Sequence, residues 1–125
     1  MYSVTVRRSF VAQHFLTVPD PGPEGELHSH HFTAEVGFHG PELNEYGYLV
    51  DIDDVKDAMA TVIGRYRDAT LNDQESFAGK NPSVEHFSRI LCEEIVADAE
   101  PEVPTKASVK LWEDDEAWAR YETSL

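Results

Sequence analysis

The sequence contains a single cysteine, little lysine and no long apolar run. Cys92 has no second cysteine to pair with, so an internal disulfide is excluded. No apolar stretch approaches the ~20 residues that a membrane-spanning helix needs, which predicts no membrane partner. The first residues alternate like a strand and do not form the basic start and apolar stretch of a signal peptide. The expected location is therefore cytoplasmic.

Positive charge is also scarce. The chain has 24 acidic residues against 10 basic ones, giving a formal net charge of −14. Nucleic acids and anionic membranes are bound through positive patches, so neither is an expected partner. Two interpretations of the acidic surface stay open. It is either an adaptation to a high-salt cytoplasm, where salt screens the repulsion between like charges, or the surface of an ordinary acidic enzyme.

The chain length of 125 residues fits one domain, residues 1–125. Period-two alternation and apolar residues at helical spacing predict an α+β fold, in which one antiparallel four-stranded sheet carries two helices on one face. The sequence places strands at residues 2–14, at about 30–39, at 106–113 and at 119–123, and helices at about 53–66 and after Ser83. A loop with three prolines and two glycines, residues 19–26, is predicted to contain neither helix nor central strand.

Three histidines form the strongest chemical signal. His28 and His30 lie two residues apart, so both point to one face of a strand. That face continues into the apolar face of the strand, and His14 likewise continues the apolar face of the preceding strand. A hairpin-like pairing would bring the three imidazoles together as the open site of a catalytic zinc ion. The alternative is a set of polar side chains at a strand entrance. His31 and His39 point to the opposite, solvated face.

Glu113 follows three apolar residues on one face of its strand, Ala107, Val109 and Leu111. A buried glutamate needs a partner, and its two oxygens suit a flat ring with adjacent N–H donors. The alternative is that the strand ends earlier and Glu113 joins a solvated acidic turn. Cys92 lies beside the apolar stripe of the second helix and is expected to pack there without reacting.

Five motifs in order resemble the 6-pyruvoyl-tetrahydropterin synthase family, which includes the 6-carboxy-tetrahydropterin synthases of queuosine and archaeosine biosynthesis. The similarity extends over nearly the whole chain. The motifs are Phe10-Val11-Ala12-Gln13-His14, Leu27-His28-Ser29-His30-His31-Phe32, Gly47-Tyr48-Leu49-Val50-Asp51, Asn81-Pro82-Ser83-Val84-Glu85, and Val109-Lys110-Leu111-Trp112-Glu113 with Ala119-Arg120-Tyr121-Glu122.

The resemblance implies a T-fold (tunnelling fold), whose subunits join their sheets into a β-barrel, here expected as a homohexamer of two trimers. It implies Zn²⁺ held by His14, His28 and His30, and a pterin anchored by Glu113 between subunits. The expected activity is that of a zinc-dependent lyase or synthase, 6-carboxy- or 6-pyruvoyl-tetrahydropterin synthase-like. Its substrate is 7,8-dihydroneopterin triphosphate, whose side chain is rearranged or cut.

Two catalytic positions depart from the family pattern. Glu24 occupies the position of the family's catalytic cysteine, four residues before His28, and resembles a branch that forms 6-hydroxymethyl-7,8-dihydropterin for folate synthesis. The alternative for Glu24 is a solvated loop residue. Asp68 matches the aspartate of the family's Asp-His pair, but no histidine follows it. A non-catalytic pterin-binding homologue is therefore the third functional alternative.

Overall fold

A computed structural model describes all 125 residues, which form one antiparallel sheet and two α-helices. The strands are β1 (Tyr2–His14), β2 (His28–Gly40), β3 (Lys106–Trp112) and β4 (Trp118–Ser124), and the helices are α1 (Ile52–Tyr66) and α2 (Val84–Ala99). The four strands lie in the order β1-β2-β3-β4, and every neighbouring pair is antiparallel. The α+β fold expected from the sequence is confirmed. No helix is both long and apolar enough to cross a membrane.

The sheet buries one face against the two helices. The alternation of β1 and β2 places Phe10, Phe32 and Val36 in a core of 24 buried hydrophobic residues. Both helices contribute an apolar stripe to that core, including Met59 of α1 and Leu91 of α2. One face of each inner strand is therefore committed to the core, which fixes the register of the sheet.

The register of β1 and β2 brings the histidines together. His14 pairs with His28, and Ala12 pairs with His30, in the last two inward-facing positions of this hairpin. The imidazoles therefore lie at one end of the inward face that also carries the buried aromatic residues Phe10 and Phe32. The hairpin-like pairing expected from the sequence is the one observed.

Local boundaries differ slightly from the sequence expectation. Residues Gly22–Gly25 form a single 3₁₀ turn in the loop predicted to be free of helix, because Pro23 suits the first turn of a helix. β3 ends at Trp112, since the main-chain N–H of Glu113 already donates to Ala117 O and closes the turn to β4. His39 is only half-exposed, and its Nε2 contacts Ser108 Oγ at 3.0 Å, so it is not a simply solvated side chain.

Candidate metal and ligand site

Three imidazole rings converge at the end of the β1–β2 hairpin. The ring centroids of His14, His28 and His30 lie 4.6 to 5.0 Å apart. Their ligand atoms and one carboxylate oxygen of Glu24 all lie within 4.8 Å of one another. The metal-ligating residues inferred from the sequence are thus brought together by the fold, and a fourth group, Glu24, lies beside them.

Hydrogen bonds set the tautomers of two of these rings. His14 Nδ1 lies 2.8 Å from Pro82 O, and His28 Nδ1 lies 2.8 Å from Glu26 O. A carbonyl oxygen only accepts, so each Nδ1 carries the proton and each Nε2 presents a lone pair. A metal-binding histidine is typically oriented in this way, by donating its other N–H to a carbonyl or carboxylate.

The three Nε2 atoms of the cluster are buried and have no hydrogen-bond partner within the protein. Such atoms are costly to leave unpaired, and one metal ion would satisfy all three. The donor set therefore fits a divalent ion with three imidazole ligands and an open position, as in catalytic zinc sites.

Burial favours the neutral form of the innermost ring. Desolvation is the largest cause that lowers the pKa of His14, and it outweighs the Pro82 carbonyl, which raises that pKa. Because a metal binds only the neutral imidazole, the surroundings of His14 keep it in the form that coordinates. The ring also packs edge-on against Phe32, with the centroids 6.1 Å apart.

Two carboxylates flank the cluster. Glu24 Oε2 lies 2.9 Å from His28 Nε2, and Glu113 Oε1 lies 3.1 Å from His30 Nε2. Neither contact is a hydrogen bond, and both nitrogen atoms remain without a hydrogen-bond partner. The two negative charges add to the attraction of a cation to this point.

Both sequence-based interpretations of Glu113, a turn residue and an inward-facing carboxylate, are partly correct. Its main chain belongs to the acidic turn, whereas its side chain is half-buried and points toward the histidines. A cavity of about 430 Å³ lies beside it, between β4 and the start of α2. This cavity is lined by Val84, Glu85, Glu113, Ala117, Trp118, Ala119 and Arg120. Its volume is in the usual range for a small-molecule site.

Asp68 lies just after the end of α1 and is not among the side chains that converge on the cluster. Its backbone is left-handed, with φ of 58°, and its N–H donates to Val11 O on β1. The side chain of Asp68 is exposed. A catalytic role for Asp68 remains a prediction.

Sequence reasoning missed the residues that support the cluster. Pro82 lies 68 positions from His14, yet its carbonyl orients that ring. Asn72 and Asn81 bind the main chain just after His14, at Phe15 and Thr17. The motif Asn81-Pro82 was visible in the sequence, but the direction in which its polar atoms point follows only from the fold.

Comparisons with known proteins agree with this geometry. The family model described as 6-pyruvoyl tetrahydropterin synthase matches residues 3–124. No curated protein sequence matches the chain.

Solved structures of 6-pyruvoyl tetrahydropterin synthases share the fold. One is a Plasmodium vivax enzyme in which a catalytic glutamate is replaced by alanine, with a TM-score of 0.83 and 13% identity. The Caenorhabditis elegans enzyme has a TM-score of 0.78 and 22% identity, and the Plasmodium falciparum enzyme has 0.80 and 14%. Each match covers 99% of this chain and 98% of the other.

Proposed function

Because this chain belongs to the 6-pyruvoyl tetrahydropterin synthase family, we propose that it is a zinc-dependent lyase acting on the side chain of 7,8-dihydroneopterin triphosphate. The observation that carries the proposal is the convergence of three unpaired, buried Nε2 atoms beside the carboxylate of Glu24. Such a site combines a place for a Lewis acid with a proton acceptor, which are the two requirements of this chemistry.

In this proposal His14, His28 and His30 hold the zinc ion, and a fourth position stays open for the substrate. Zinc bound there would supply polarisation of the hydroxyl and carbonyl oxygens of the substrate side chain. The carbonyls of Pro82 and Glu26 keep two of the rings in the required tautomer. The aromatic ring of Phe32 shields the inner side of the cluster from water.

Glu24 is the proposed general base, which takes a proton from the substrate side chain. Its Oε2 atom reaches the cluster, at 2.9 Å from His28 Nε2. The use of a catalytic glutamate by the Plasmodium vivax relative supports this role. The resemblance of Glu24 to the glutamate branch of the family favours 6-hydroxymethyl-7,8-dihydropterin as the product, rather than a 6-pyruvoyl or 6-carboxy pterin.

Glu113 is the proposed pterin anchor. A carboxylate accepts two parallel N–H bonds from an aminopyrimidinone ring, and the adjacent cavity offers room for the fused rings. The reacting side chain would then lie toward His30, 3.1 Å from the same carboxylate. Ring recognition and side-chain chemistry are thus assigned to opposite sides of Glu113.

A homohexamer, built as two trimeric barrels, is the proposed assembly. β1 and β4 form the two edges of the sheet. The outer side of β4 is unpaired, and β1 bonds on its outer side only at Val11 and Gln13, so most of both edges is free to pair with another strand. The Glu113 cavity is lined in part by β4, so β1 of a second copy paired with this edge strand would lie beside it. Sedimentation of the protein at several concentrations tests this assembly, and a stable monomer would refute it.

The first experiment incubates the zinc-loaded protein with 7,8-dihydroneopterin triphosphate and identifies the products by mass spectrometry. A 6-hydroxymethyl, 6-carboxy or 6-pyruvoyl pterin establishes the lyase. Glu24→Gln is expected to lower kcat at least a hundredfold, because an amide cannot accept the proton. Asp20→Asn is the matched control, since this exposed carboxylate lies in the same segment and makes no contact with the cluster. Unchanged substrate, with zinc bound, would refute the lyase proposal and favour a pterin-binding protein.

A further inference from the structure

The segment that carries Glu24 has no apolar anchor. None of residues 15–27, which join β1 to β2, is buried. A segment without a buried side chain gains little from packing, so its position is set by hydrogen bonds. The hydrogen bonds that hold this segment therefore decide where the proposed base, Glu24, lies.

Asn72 holds the start of this segment with two bonds. Its Oδ1 accepts the main-chain N–H of Phe15 at 3.0 Å, and its Nδ2 donates to Phe15 O at 2.9 Å. The side-chain amide thus pairs with Phe15 as a neighbouring strand would. Both polar ends of the asparagine are used.

Asn81 holds the same segment two residues later. Its Oδ1 accepts the main-chain N–H of Thr17 at 2.8 Å and the Thr17 hydroxyl at 3.3 Å. Only the acceptor end of this side chain is used. The main-chain carbonyl of Asn81 lies 2.7 Å from His86 Nδ1, which ties it to the first turn of α2.

Leu16, which lies between Phe15 and Thr17, is hydrogen-bonded to the main chain of Glu24. The N–H of Leu16 donates to the main-chain carbonyl of Glu24 at 2.8 Å. We infer that Asn72 and Asn81 are positioning residues that hold the backbone at 15–17 so that the Glu24 carboxylate meets the histidine cluster. The expected loss of kcat rests on the proposed function, whereas the expected loosening of the segment does not.

Replacement by aspartate is expected to have opposite effects at the two asparagines. Asn81→Asp keeps an acceptor for Thr17, so the clamp should survive. Asn72→Asp replaces the donor facing Phe15 O by a second oxygen, which repels that carbonyl. An effect of the added negative charge alone would be the same in both variants.

The experiment compares Asn72→Ala, Asn81→Ala and both aspartate variants in the zinc-loaded protein. The control is Asn44→Ala, which removes a similar side-chain clamp, on Tyr46 and Tyr48, beyond the opposite end of β2. Three quantities are measured: kcat and KM, zinc content, and the hydrogen exchange of residues 15–26.

Both alanine variants and Asn72→Asp are expected to exchange at least tenfold faster in the segment and to lose about tenfold in kcat, with KM and zinc unchanged. Asn81→Asp and Asn44→Ala should match the wild type in all three quantities. Wild-type exchange in the alanine variants, or equal behaviour of the two aspartate variants, would overturn the inference. Should the wild type turn over no substrate, exchange and zinc content still decide on the clamp, while the lyase proposal fails separately.

Discussion

The histidine cluster makes a sharp prediction because two adjacent histidines of β2 face opposite sides of the sheet. His30 belongs to the cluster, whereas His31 is exposed on the other face. His30→Ala removes one of three imidazole ligands, so zinc should fall from about one ion per chain to nearly none after dialysis against a weak chelator. The content is measured by atomic emission.

His31→Ala is the matched control, since it removes an imidazole from the neighbouring position of the same strand. It should retain the zinc of the wild type. Equal zinc content in His30→Ala and the wild type would contradict the proposed ligand set.

Cys92 is expected to be chemically inert. It is 1% exposed on α2, and burial is the main cause that raises the pKa of its thiol to about 11. The thiolate is the reactive form, so at pH 8 both the low thiolate fraction and the lack of access oppose alkylation. Mass spectrometry should detect no iodoacetamide adduct on the folded protein after an hour, and complete labelling in guanidinium. Rapid labelling of the folded chain would show that α2 opens readily.

At this scale the sequence predicted which side chains meet, but not what orients them. The β-strand period alone places His28 and His30 on one face. The carbonyl that orients His14 comes from Pro82, and the clamp on Phe15 comes from Asn72, both more than fifty residues away. Such contacts depend on how whole elements pack, so no local pattern encodes them. The sequence left two interpretations of Glu113 open because its backbone belongs to the turn while its side chain points toward the histidines.

At the scale of elements, the first turn of α1 depends on a side-chain cap. Asp51 Oδ1 accepts the N–H of Asp53 at 2.8 Å. Asp51→Ala leaves that donor without its partner and should lower the free energy of unfolding by about 1 kcal/mol. Urea unfolding measures the difference.

Asp51→Asn separates the cap from the charge. The amide oxygen still accepts the hydrogen bond, so this variant should lie close to the wild type. If Asn and Ala destabilise the protein equally, the effect of Asp51 comes from its charge at the positive end of the helix and not from capping.

The sequence predicted the elements well where one periodicity continues without interruption. β1 and β2 alternate over 13 residues each, and both helices carry a clear apolar stripe. The differences lie in short segments, where a single proline or one turn hydrogen bond decides the backbone. The 3₁₀ turn at Gly22–Gly25 forms within a segment rich in helix breakers, and it is joined to Leu16 by the carbonyl of Glu24.

At the scale of the molecule, half of the ten basic residues are already paired with a carboxylate on the surface. Lys106 and Arg120 both contact Glu122, and Arg65 and Arg89 contact Glu94 and Glu93. With a net charge of −14, many exposed carboxylates have no cation nearby. Assembly into a hexamer would bring six such surfaces together and add to the repulsion.

Added salt, which screens the repulsion between these carboxylates, should therefore stabilise the protein. Raising KCl from 0.1 to 1 M shortens the screening length from about 10 Å to about 3 Å, which removes most long-range repulsion. We expect the thermal midpoint of the zinc-loaded protein to rise by at least about 4 °C. Glu42→Lys, Asp57→Lys and Glu102→Lys together reverse three exposed charges and change the net charge from −14 to −8. This triple variant should have a higher midpoint at 0.1 M and a smaller gain from salt. An equal gain in both proteins would mean that KCl acts by exclusion from the surface, since only screening depends on the net charge.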